Sequence, residues 1–187
     1  MLTRRSLIAG LAAAALPAGA ASADAVLTED GLYRQPWFLD SLLELADDLQ
    51  AASEKQKHFA ILWDLRGCPF CKKTHLVNFA RPEIVTYIRE RFDIVQLNII
   101  GAREVVDFDG EKLPERAFAR KYGVRYTPTF QFFSGRADAV ASKAAAQREI
   151  TRVQGYQEPK DFLATFRYIA EGAYEKGTLA DFLKANS

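Results

Sequence analysis

Two cysteines three positions apart, in Cys68-Pro69-Phe70-Cys71, are the only thiols in a chain of 187 residues. Sulfurs at this spacing can close a passive loop, ligate a metal or exchange disulfides. A passive four-residue loop restricts the unfolded chain little, so it is a weak staple. A four-ligand zinc site would use both cysteines and both histidines, and of His58 and His75 only His75 is local. Haem attachment needs a histidine directly after the second cysteine, where Lys72 stands. The spacing therefore favours exchange, in which one thiolate attacks a disulfide sulfur and the second thiol resolves the mixed disulfide.

The surroundings of the pair assign the two roles. Phe59-Ala60-Ile61-Leu62-Trp63 is an apolar run before a glycine-containing turn and reads as a strand buried on both faces, with Trp63 in the core. A helix starting after that turn puts Cys68 at its N-terminus and Pro69 at its first position, where a missing N–H costs nothing. Unpaired backbone N–H groups and the positive end of the helix dipole favour a thiolate there. Cys68 is then the nucleophile, and Cys71, one turn deeper, the resolving thiol. Asp64 has two readings: a partly buried carboxylate that takes the proton from Cys71, or a solvated acid at a strand end. Lys72 and Lys73 either add positive potential or form a wet helix face. His75, two turns along the same face as Cys68, reads as a packing or hydrogen-bonding residue.

The elements that must hold this pair follow from periodicity. Apolar residues at Phe38, Leu42, Leu45 and Leu49 predict an amphipathic helix over 36–53. Helical continuation is expected over 72–79, a new helix over 82–91, and a branched-residue strand over 92–100. The acidic, glycine-containing stretch 101–113 reads as a loop, 114–122 as a short helix stopped by Gly123, 129–133 as a strand and 149–154 as another. The alanine-rich stretch 137–146 fits either a short helix or a mobile loop. Helices over 159–174 and 178–185 close the chain. Strands joined through helices imply parallel pairing, and two successive strands an antiparallel hairpin. The expected fold class is α/β, a mixed central sheet flanked by helices, with an extra N-terminal and an extra C-terminal helix.

Composition excludes some functions. A formal charge of +1 offers no field for nucleic acid or an anionic membrane. Residues 1–23 read as a signal peptide: Arg4 and Arg5, an uncharged apolar run of about ten residues, too short to span a bilayer, then Ala21-Ser22-Ala23. Thr3-Arg4-Arg5-Ser6-Leu7-Ile8 fits a twin-arginine start, and an ordinary secretion signal with adjacent arginines fits equally. Residues 24–187 form the expected mature domain, in a compartment such as the periplasm where disulfides persist.

Further along, Ala119-Arg120-Lys121-Tyr122-Gly123-Val124-Arg125-Tyr126-Thr127-Pro128-Thr129 resembles the Ala-x-x-Tyr-Gly-Val-x-x-x-Pro-Thr segment of thioredoxins. With the cysteine motif upstream, the resemblance covers about 55–170. Gly-Cys-Pro-Phe-Cys-Lys-Lys-Thr-His and the loop Arg103-Glu104-Val105-Val106-Asp107-Phe108 look like exported SoxW-type thioredoxins, encoded with bacterial sulfur-oxidation systems. The resemblance implies a cis bond at Thr127–Pro128, with the Thr127 backbone beside the cysteines as a docking edge for an extended substrate. Gly155 falls where thioredoxins place a glycine near the site. Pro69, Phe70 and Tyr126 are the expected apolar substrate surface. Gly67 replaces the tryptophan of cytosolic thioredoxins, Pro-Phe replaces their Gly-Pro, and Asp64 stands two positions after their buried acid, on the same strand face.

The resulting expectation is an exported thiol–disulfide reductant of cysteine-bearing client proteins, with the sulfur carrier of thiosulfate oxidation as one candidate client, and with no cofactor beyond the Cys68–Cys71 disulfide. A membrane thiol-electron transporter would recharge it, no nucleic acid would be bound, and a monomer is the default. Two rivals are a reductant for cytochrome c maturation and a redox-inert binding module or metal chaperone.

Overall fold

The computed structural model describes residues 25–186; the leader expected over 1–23 lies outside them. Four strands form the central sheet: β3 (His58–Asp64), β4 (Phe92–Asn98), β7 (Thr129–Phe133) and β8 (Thr151–Gln154). Their order is β4-β3-β7-β8. β3 and β4 pair in parallel through α2 (Pro69–Lys73) and α3 (Pro82–Arg91), while β7 runs antiparallel to both β3 and β8. The sheet is mixed, as expected. The rule that helix-joined strands run parallel fails at β7, which follows α4 (Glu115–Lys121) yet enters the sheet antiparallel.

Alternation along β3 divides the core between two faces. Phe59, Ile61 and Trp63 pack with Leu45 and Leu49 of α1 (Leu45–Glu54) and Phe118 of α4. Ala60 and Leu62 pack with Ile84 and Ile88 of α3 and with Phe162 and Phe166 of α6 (Pro159–Ala170). A strand covered on both sides needs apolar residues at every position, hence the unbroken run. Its one indole donor is met: Trp63 Nε1 donates to Gln131 Oε1 at 2.6 Å.

The helix predicted over 36–53 begins only at Leu45. Phe38 belongs to one core cluster and Leu45 to the other, on opposite sheet faces, so a straight helix cannot serve both. The chain instead rounds the edge strand β4: Leu39 N–H donates to the Ile94 carbonyl at 2.9 Å, and Leu42 is left 91% exposed. Before this turn lies a small hairpin, β1 (Val26–Leu27) and β2 (Tyr33–Arg34), which periodicity did not predict. The predicted loop 101–113 contains another hairpin, β5 (Glu104–Val106) with β6 (Lys112–Pro114). The stretch left open at 137–146 holds α5 (Ala137–Ala141) and the start of a 3-10 turn, with Val140 in the core. The penultimate helix stops at Ala170, and α7 (Leu179–Ala185) lies against it through Tyr168 and Phe182, 5.5 Å between ring centroids.

The β5–β6 hairpin is fastened by a buried guanidinium. Arg148 donates to Asp107 Oδ2 at 2.9 Å, to the Tyr122 hydroxyl at 3.0 Å and to Asp109 Oδ2 at 2.6 Å. The bond from Arg148 holds the Asp109 carboxyl down to about 2. Since this lies below its unfolded value, the contribution is complete above the ordinary carboxylate range and is lost as pH falls through about 2. Asp109→Asn is expected to flatten the acid limb of stability between about pH 4 and 2, read by urea unfolding at each pH. The carboxylate is 36% exposed, so screening keeps the effect below about 1 kcal/mol.

Candidate active site

Cys68 is the N-cap of α2: Pro69 takes the first helical position, and Cys68 Sγ accepts from the Cys71 backbone N–H at 3.1 Å. The turn before it needs Gly67, whose φ of +78° is a left-handed conformation that side chains disfavour. The two sulfurs are joined as a disulfide, with Cα atoms 5.3 Å apart. Their exposure is unequal. Cys68 is half-buried at the surface, whereas Cys71 is 4% exposed.

The loop before β7 faces this pair. The Thr127–Pro128 peptide is cis, and the Thr127 carbonyl oxygen lies 3.5 Å from Cys68 Sγ. It is therefore the Thr127 backbone that meets the sulfur. Gly155 N–H donates to the Pro128 carbonyl at 2.7 Å, tying the loop to the end of β8. Phe70 and Tyr126 are 55% and 63% exposed, Phe70 stacks on Tyr156 at 6.5 Å, and Pro69 is exposed beside them. Lys73 Nζ caps the Tyr156 ring at 4.0 Å and pairs with Glu158 at 3.0 Å. These contacts put Lys73 toward Tyr156 and Glu158, and Lys72 lies over Tyr33 at 5.9 Å.

Behind the disulfide sits Asp64, the last residue of β3, 1% exposed; the solvated reading of this acid is corrected. Even-numbered positions of β3 face the α3 and α6 side of the sheet, and Asp64 there meets His75 and lines the same cavity as Cys71, with Cys71 and His75 at i and i+4 along the chain. Asp64 Oδ2 accepts from His75 Nε2 at 2.9 Å and from Gln96 Nε2 at 2.5 Å, while Oδ1 is buried without a partner. A cavity of about 370 Å³ is lined by Asp64, Cys68, Cys71 and, from the opposite side, Leu27, Gly31 and Tyr33. After Lys73 the helix widens into a π-turn over Thr74–Asn78, which carries His75 and continues the helix to Phe79 with a changed bonding pattern.

Sequence reasoning named Asp64 and gave His75 its hydrogen-bonding role, but it missed Gln96 and Gln35. Gln96 had a signal: it is a polar residue inside an apolar strand, with the parity that faces Asp64. The carboxylates of Asp107, Asp109 and Glu111 also converge, on the far hairpin, but they do so around Lys121 and Arg148. Their charge serves the fold.

A strand, a turn and a helix that starts on the first of two linked cysteines, set against a cis-proline loop, define a thiol–disulfide site of the thioredoxin kind. The thioredoxin-like domain family matches residues 45–170, and the chain belongs to it. Among solved structures, a thioredoxin-fold protein from Helicobacter pylori is 23% identical over 70% of this chain and 82% of that one, with a TM-score of 0.55. A thioredoxin from Thermus thermophilus is 22% identical over 67% and 81%, with a TM-score of 0.47. The first shares the fold. No curated protein sequence matches the chain.

Proposed function

We propose that the protein is an exported thiol–disulfide reductant of the SoxW type, acting in the periplasm on cysteine-bearing client proteins. The observation that carries this reading is the asymmetry of the pair: a reachable sulfur at a helix start, beside the Thr127 backbone, and a second sulfur buried behind it. The Cys68 thiolate attacks a client disulfide. One client sulfur leaves as a thiolate and Cys68 is joined to the other. Cys71 then gives its proton to Asp64 and bonds to Cys68 Sγ; the Cys68–client bond breaks and the second client sulfur leaves with the electron pair. Two electrons pass to the client, and the protein is left with its own disulfide, which a membrane thiol-electron transporter returns to the dithiol.

The client would lie along the Thr127–Pro128 edge, pairing main chain to main chain, with Pro69, Phe70 and Tyr126 supplying apolar contact. A sulfur carrier of thiosulfate oxidation fits as a client by the resemblance of the cysteine motif and the 103–108 loop. The direction of transfer is tested by equilibrating the Cys68–Cys71 pair with glutathione. A potential between about −270 and −200 mV is expected for a reductant, and one near about −120 mV would make the protein an oxidant instead.

A further inference from the structure

The buried acid is held directly by His75 and Gln96, and a third group, from outside the α/β unit, acts on it through His75. Gln35 directly follows β2, and its side chain is 1% exposed. Its amide nitrogen lies 3.1 Å from the His75 carbonyl oxygen and 3.4 Å from His75 Nδ1. A carbonyl oxygen can only accept, so the group facing it is the amide NH2. The same NH2 confronts Nδ1, which must then present a lone pair, and the ring proton resides on Nε2. That N–H points at Asp64 Oδ2, 2.9 Å away. The rings of Tyr33, Phe38 and Phe79 pack around the imidazole, with centroids 6.4, 5.8 and 5.6 Å from it. Gln96 completes the arrangement: its amide donates to Asp64 Oδ2 at 2.5 Å and to the Tyr33 carbonyl at 2.6 Å, clipping β2 to the same acid.

We propose that Gln35 and His75 are positioning residues for the resolving step: Gln35 fixes His75 as its Nε2–H tautomer, and His75 with Gln96 pins Asp64 by Oδ2, leaving Oδ1 to take the Cys71 proton. The proposal rests on the reading of Asp64 as proton acceptor. A carboxylate with one oxygen accepting two hydrogen bonds and the other accepting none has one orientation, and a misplaced acceptor costs about a hundredfold in rate. Neither residue touches the sulfurs of a client, so the first attack by Cys68 is untouched.

The test uses the full mature chain labelled with 15N-histidine. With two histidines in the sequence, His58→Gln leaves a single imidazole to assign. The expected spectrum has a protonated-type Nε2 and a lone-pair-type Nδ1 for His75, and Gln35→Glu, which puts an acceptor opposite Nδ1, is expected to protonate that nitrogen. In parallel, release of a thiol probe from its mixed disulfide with Cys68 is expected to slow about a hundredfold in His75→Leu and to recover in His75→Gln, whose amide nitrogen replaces Nε2. Alkylation of Cys68 should proceed at the same rate in all of them. A wild-type His75 protonated on Nδ1, or a His75→Gln variant as slow as His75→Leu, would overturn the proposal. If Asp64→Asn releases the probe at the wild-type rate, the acceptor reading fails instead, and the spectrum separates the two failures because it is recorded without any change to Asp64.

Discussion

Cys68→Ser is expected to lose reductive turnover of a protein disulfide down to the uncatalysed background, while Cys71→Ser captures the substrate and keeps it. The difference follows from position. Cys68 is the reachable sulfur at the start of α2, where its Sγ accepts the Cys71 backbone N–H. A hydroxyl in its place has neither the acidity nor the nucleophilicity to attack sulfur at neutral pH. Cys71 is 4% exposed and sits where an incoming client cannot reach it, so it cannot substitute for the lost nucleophile. With Cys71 replaced, the first attack proceeds but nothing breaks the new bond. A covalent adduct should therefore accumulate, visible as a mass increase that a reductant reverses. Persistent turnover in Cys68→Ser, or no adduct with Cys71→Ser, would remove the assignment of roles.

The second large effect is expected for Asp64→Asn, which should slow resolution of the mixed disulfide by about 10²- to 10⁴-fold, the range for removing a positioned general base. The amide keeps the size and one acceptor oxygen, so the bonds from His75 and Gln96 have a partner in one orientation. What is lost is the basicity next to Cys71. Capture by Cys68 should be unchanged, so stopped-flow traces split: a first phase like the wild type and a second that nearly vanishes. If both phases slow equally, the acid serves the nucleophile or the fold, not the resolving thiol.

Much of the machinery was legible in the chain because it is local. The apolar run 59–63, the turn glycine, Pro69 and the cysteine spacing are neighbours in sequence, and together they dictate a strand, a turn and a helix start. The edge formed by Thr127 and Pro128 lies far away in sequence, but it carries a motif long enough to be seen. The environment of Asp64 was half visible. Its identity and strand parity could be read, but whether it was solvated depended on which segment covered it, and that cover includes β2. Gln35 has no periodicity or motif to mark it, because its role exists only once the chain has rounded the β4 edge. The same long-range event explains the misread helix at 36–53. Its spacing is amphipathic, yet Phe38 and Leu45 answer to cores on opposite faces of the sheet.

That N-terminal wrap makes the folded redox unit larger than the homologous segment. A fragment trimmed to 45–170 would retain all four strands of the central sheet, both cysteines and the proline loop. It would also bare the carbonyl of Ile94 along β4, an open strand edge onto which a second molecule can add, and take one wall from the cavity beside Cys71. For anyone engineering or expressing this protein, the boundary that matters lies upstream of Leu27, some distance before recognisable homology begins.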